Sequence, residues 1–135
     1  MFFKKKPKQL EKVIEINVQN MKPYYNNIAS IGIPTKEYES KDVNAFGQNY
    51  YKYSFKHVNI TFSKPKKRHP ILVLANNLPI GEIGLMDKEY ISQYITRPHV
   101  IDFYFSGGDY YRIDLKGKGE HGFYPYYCNI TLTLL

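Results

Sequence analysis

Two groups of cations and four pairs of adjacent tyrosines are the parts of this sequence equipped to do chemistry, and the chemistry they suggest is recognition of a polyanion. Residues 1–12 carry five Lys against one Glu, and Lys64, Lys66, Lys67 and Arg68 form a second cluster. The formal net charge of the 135 residues is +7, so the chain outside these two segments is close to neutral. Concentrated cations on a near-neutral body steer a protein toward phosphate or anionic lipid, with strong salt dependence. Lys outnumbers Arg by 16 to 3, which suits diffuse phosphate contact better than bidentate reading of bases. The plainer alternative is that the charges keep a Tyr-rich domain in solution.

The tyrosine pairs are Tyr24-Tyr25, Tyr50-Tyr51, Tyr110-Tyr111 and Tyr126-Tyr127. Neighbouring side chains of an extended chain point to opposite faces, so one ring of each pair can face outward. An open ring beside a cation is what single-stranded nucleic acid uses, bases stacking on the ring while the cation follows the phosphates. Against this, Tyr is a good strand residue in its own right.

Other chemistries find less support. The histidines His57, His69, His99 and His121 are scattered, with no pair at metal-ligand spacing, and no metal or cofactor is expected. Asp109, Asp114, Glu120 and His121 would make an acid/base group only if the fold brought them into one cleft; capping of turns is the simpler role. Cys128 lies in an alternating apolar run and reads as a core residue, and the glycines lack the spacing of a phosphate loop. No enzymatic activity is expected.

The elements that must position the basic and aromatic groups are mostly strands. Tyr and Phe number 14 and 8 and cluster with Val, Ile and Thr, which predicts a mainly β fold: a small antiparallel barrel of about six strands with one or two short helices. Residues 1–12 read as a basic arm and 13–135 as one domain, a length that supports a single core. Val13 to Val18 alternates as a half-buried strand. Asn26 to Gly32 is predicted as a short helix capped by Asn26 or Asn27 and stopped by Gly32. Residues 33–49 read as a loop with at most one short strand. In Tyr50 to Phe62 the apolar parity changes from odd to even numbers, which predicts a bulge near Lys56 or His57.

Beyond the basic loop, Ile71 to Ala75 reads as a central strand, Asn76-Asn77 as a turn and Leu78 to Ile83 as its partner strand. Asp87 is placed to cap a helix through Ile95. Ser106-Gly107-Gly108-Asp109 signals a hairpin between strands 100–105 and 110–115, residues 116–122 read as a flexible loop, and the last strand is expected from about Tyr126. A single cysteine excludes an internal disulfide, and no apolar run approaches the roughly 18 residues of a membrane helix. A soluble, cytoplasmic protein is expected.

The order of these features resembles the HIRAN domain over roughly residues 13–134. The resemblance rests on Lys22-Pro23-Tyr24-Tyr25-Asn26 after the first strand, on Pro70-Ile71-Leu72-Val73-Leu74, on Ile80-Gly81-Glu82-Ile83-Gly84 before a helix, and on the Gly-containing hairpin. It implies an OB-like barrel that binds DNA at a single-stranded 3′ end, with Lys22, Tyr24 and Tyr25 contacting phosphate and bases. Where the family carries Asn-Pro-x-Asp, this chain has Lys66-Lys67-Arg68-His69-Pro70-Ile71, so cations replace the carboxylate that would help hold the DNA end. The expected function is non-enzymatic binding of nucleic acid, single-stranded DNA above all, through Lys22, Tyr24, Tyr25, Lys64, Lys66, Lys67 and Arg68. The alternative is an accessory or inhibitor domain that binds another protein through a β edge or a Tyr-rich face.

Overall fold

The computed structural model describes residues 12–41 and 46–135, so the basic arm, apart from Lys12, lies outside the described residues. The fold is mainly β, as the composition predicts, with antiparallel pairing throughout. Strand β1 (Val13–Asn17) leads through a 3-10 turn (Lys22–Tyr24) into α1 (Tyr25–Ile31). Then come β2 (Ile33–Pro34), α2 (Lys36–Ser40), β3 (Tyr50–Tyr51), β4 (Tyr53–Ser54) and β5 (Ile60–Phe62). The chain continues with β6 (Leu72–Ala75), β7 (Leu78–Glu82), α3 (Lys88–Ile95), β8 (His99–Ile113) and β9 (Gly119–Leu134).

The strands form one sheet in the order β1-β9-β8-β3, a second in the order β5-β6-β7, and a small β2-β4 pair. The two larger sheets meet where Gln19, just past β1, exchanges both backbone hydrogen bonds with Glu82 of β7 at 2.8 Å. The circuit is thus continuous from β5 through β6, β7, β1 and β9 to β8. It does not close: the expected barrel has an open seam, because β8 and β5 are not hydrogen-bonded to each other.

Alternation fills the interior. Ile14 and Ile16 of β1, Val73 and Ala75 of β6, Ile80 of β7, and Cys128, Ile130, Leu132 and Leu134 of β9 are buried, and Ile28 of α1 and Ile91 of α3 join the same core. Cys128 is a core residue, and burial pushes its thiol pKa up to about 12. Tyr126 is also pushed up to about 12, first by burial and then by Asp109. A raised folded-state pKa gives stability that is complete below the unfolded value and is lost as pH rises through the folded one. Stability should therefore decline from about pH 9 toward 12, and thermal melts across that range should show a shallower decline for Cys128→Ala. Melting midpoints that stay level to pH 12 would contradict the assignment.

Several elements differ from expectation. Gly107 and Gly108 do not make a hairpin turn. They sit inside the continuous strand β8, with φ of 104° and 92°, where the register with β9 shifts between Ser106 and Gly108. Pro125, which has no N–H to offer a ladder, lies opposite this shift. The actual turn lies further on: Asp114 Oδ1 accepts the N–H groups of Lys116 and Lys118 at 2.9 and 2.8 Å, and residues from Gly119 onward already belong to β9 rather than to a flexible loop. The parity change in 50–62 is real, since Phe55 and Val58 are both buried, but it comes from a turn at Lys56-His57 and not from a bulge.

In residues 33–49, read as a loop, Lys36–Ser40 is helical. Neither Asn26 nor Asn27 caps α1: its N-cap is Tyr24, and Asn27 Nδ2 donates to the Pro79 carbonyl at 3.0 Å. Gly32 ends α1 in an extended conformation, and the reason for glycine is space, as an added Cβ would stand 2.5 Å from Tyr53 Cβ. The Asn76-Asn77 turn and the helix after Asp87 are where the sequence places them; both asparagines take the positive φ that a two-residue hairpin turn requires.

Candidate nucleic-acid interface

The basic loop between β5 and β6 is built on a tight turn. The Lys66 carbonyl accepts the His69 N–H at 3.4 Å and the Lys88 ammonium as well, so the loop is pinned to the first turn of α3. Lys64, Lys66, Lys67 and Arg68 are all exposed. With Leu85, Met86, Lys88 and Glu89, the last three of them line one open groove of about 590 Å³. Arg68 holds φ at 62°, a left-handed conformation that costs a residue with a Cβ about 1–2 kcal/mol. Glycine escapes that cost and gives part of it back in unfolded-state entropy. Arg68→Gly should therefore stabilise the fold by about 0.5–1 kcal/mol in urea denaturation while weakening anion binding. A destabilised variant would show that the turn does not strain Arg68.

On the other flank of α3 stands a second group. Lys12 lies 4.2 Å from the Tyr94 ring centroid and 5.5 Å from that of Tyr90, and it donates a hydrogen bond to the Tyr94 hydroxyl. That bond, more than any other influence, raises the Lys12 pKa and lowers that of Tyr94. Arg97 lies 6.0 Å from the same Tyr94 ring. Tyr90 and Tyr94 are one helical turn apart and meet edge to face at 5.1 Å, and Tyr90 is 49% exposed. Cations from residue 12, from the 64–68 loop and from α3 thus flank one helix, whose width with side chains is about 10–12 Å. An open aromatic ring stands among them.

The aromatic turn that the sequence singles out is placed differently. Lys22 is exposed, Tyr24 and Tyr25 are half-buried, and the turn packs against β7. Tyr25 spends its ring on the interior side, edge-on to Tyr126 at 4.9 Å and tilted on Phe123 at 5.7 Å. Burial first, and the Glu82 carboxylate second, raise the Tyr24 phenol pKa. The turn and the basic loop rest on different supports. They are linked through β7, since Glu82 is three residues from Leu85 in the groove wall, a span of at most about 10 Å.

The four cations expected at 64–68 share one exposed loop, with Lys64 outside the groove that the other three line, and the sequence reading did not single out Lys88, Tyr90 or Arg97 beside them. The signal for Tyr90 and Tyr94 was their four-residue spacing on the helix after Asp87, next to the apolar positions Ile91 and Ile95. Three of the four acid/base candidates have separate employments: Asp114 holds its turn, Glu120 pairs with Arg112, and His121 packs against the rings of Tyr38 and Tyr111. Among the described residues no three His, Cys, Asp or Glu side chains gather as a metal site, and no helix is long and apolar enough to cross a membrane. No family model, curated protein or solved structure matches the chain.

Proposed function

We propose that this protein binds nucleic acid without acting on it chemically, with single-stranded DNA crossing α3. The observation that carries the reading is the meeting of Lys66, Lys67, Arg68 and Lys88 along one groove, with Lys12, Arg97 and the open Tyr90 ring on the opposite flank of the same helix. Phosphates would lie along the cations, and a base would stack on Tyr90 in preference to Tyr25, whose ring is already occupied. In the HIRAN-like version of this reading, Lys22 and Tyr24 take the end of the strand, beside Glu82.

Fluorescence anisotropy with a labelled single strand and a labelled duplex, at several salt concentrations, tests the proposal. Affinity should fall steeply with salt, as counterion release requires. Tyr90→Ala should cost about 1–3 kcal/mol of binding, the usual worth of one stacked base, and Tyr25→Ala much less provided it folds. A larger loss from Tyr24→Ala than from Tyr90→Ala moves the stacking site to the aromatic turn. Absence of binding at every salt concentration ends the proposal.

A further inference from the structure

The open seam between β8 and β5 has the properties of a receptor for a β-strand. Leu135 donates to the Pro98 carbonyl at 3.1 Å, which fixes the even-numbered residues at the start of β8 as those that exchange hydrogen bonds with β9. Their odd-numbered neighbours Ile101, Phe103 and Phe105 then aim N–H and C=O away from β9. Among the described residues these groups have no backbone partner, because β3 covers β8 only at Tyr110 and Tyr111, and Lys52 only at Asp109. Across the seam β5 is also an edge, bonded to β6 alone. The Phe62 and His99 rings mark one end of the seam at 6.4 Å, and the Phe55 and Phe105 rings, stacked at 4.2 Å, mark the other.

We infer that this edge takes up an extended segment of another protein by strand addition. The geometry specifies the guest. Unpaired main-chain groups at every second residue require an extended backbone. The side chains of Ile101, Phe103 and Phe105 are packed against the core yet only partly covered, so the guest needs an apolar residue at alternate positions. Exposed Lys56 and Lys64 stand on the facing wall and outnumber the one carboxylate lining the seam, Asp102 of β8, in a chain of net charge +7, which favours acidic residues at the positions between. The same charge opposes a second copy of this chain as the guest. The seam shares Ser63, Lys64 and Pro65 with the surface around the basic loop, and strand addition there does not depend on nucleic-acid binding.

The test uses a synthetic acetylated peptide, Val-Glu-Val-Glu-Val-Glu-Val, and residue-resolved amide hydrogen exchange. In the free protein the amides of Ile101, Phe103 and Phe105 should exchange faster than those of Val100, Asp102 and Tyr104. Saturating peptide should slow the first three at least tenfold. The same peptide with every backbone nitrogen methylated, and thus stripped of donors, should leave them unchanged. Three results would overturn the inference: no slowing with the peptide, equal slowing with the methylated peptide, or slowing that appears without peptide as protein concentration rises, which would mean self-pairing.

Discussion

Changing Lys66, Lys67 and Arg68 together to Ala should weaken binding of single-stranded DNA by roughly 100-fold at about 0.1 M monovalent salt. Each phosphate neutralised on a single strand contributes about 0.7 to the slope of log affinity against log salt, so three lost contacts flatten the slope by about 2. Across the decade between 1 M and 0.1 M salt that difference amounts to about two orders of magnitude. The variant should keep the wild-type melting temperature, since all three side chains are exposed and the turn is held by the Lys66 carbonyl, which the substitution retains. Salt titration by anisotropy is the measurement. An unchanged slope in a folded triple variant would show that these cations do not touch the strand.

The largest effect on stability should come from Gly107→Ala. Gly107 combines a φ of 104° with close approach of the partner strand: an added Cβ would collide with the Pro125 carbonyl oxygen and stand 2.8 Å from Tyr126 Cα. Both obstacles are backbone, so no side-chain rotation relieves them, and a cost of about 3 kcal/mol or more is expected. Gly117 supplies the control. Its φ of 80° is just as unsuited to alanine, yet nothing lies within 4 Å of its added Cβ, so Gly117→Ala should cost only about 1 kcal/mol. Urea midpoints of the two variants decide the matter. Equal losses would mean that the strand crossing at Gly107 is looser than it stands here.

What could be read in the residues before folding depended on how local the governing physics is. Strand alternation around Ile14 and Ile16, and from Cys128 to Leu134, is a local property of the chain, as is the turn preference of Asn76-Asn77, and these elements fall where the pattern puts them. The Gly107-Gly108 pair misled because two glycines at positive φ look alike in a hairpin turn and in a kinked strand. Only the distant Pro125-Tyr126 segment, which must cross close by, decides between them. Three cross-strand pairs make the same point: the rings of Tyr126, Tyr110 and Tyr111 lie over Gly108, Gly122 and Gly119, where a Cβ would obstruct them. Those glycines serve tyrosines across the ladder and not turns of their own.

The candidate interface divides along the same line. The cluster at 64–68 is contiguous and therefore visible, whereas the group on the far flank of α3 depends on where β1 begins, with Lys12 laid over Tyr90 and Tyr94. Tyr25 looked available because its neighbour is a lysine-bearing turn. Its ring is claimed by Tyr126, a residue about a hundred positions away.

The pairing of β1 with β9, Val13 opposite Thr133, has a kinetic side. A ribosome delivers β1 about a hundred residues before β9, the strand that buries Ile14 and Ile16, so the nascent chain carries an unsatisfied apolar edge while all the elements between them are made. Assembly of the central sheet is thereby deferred until β9 has been made, which makes the growing chain a natural client for holding chaperones.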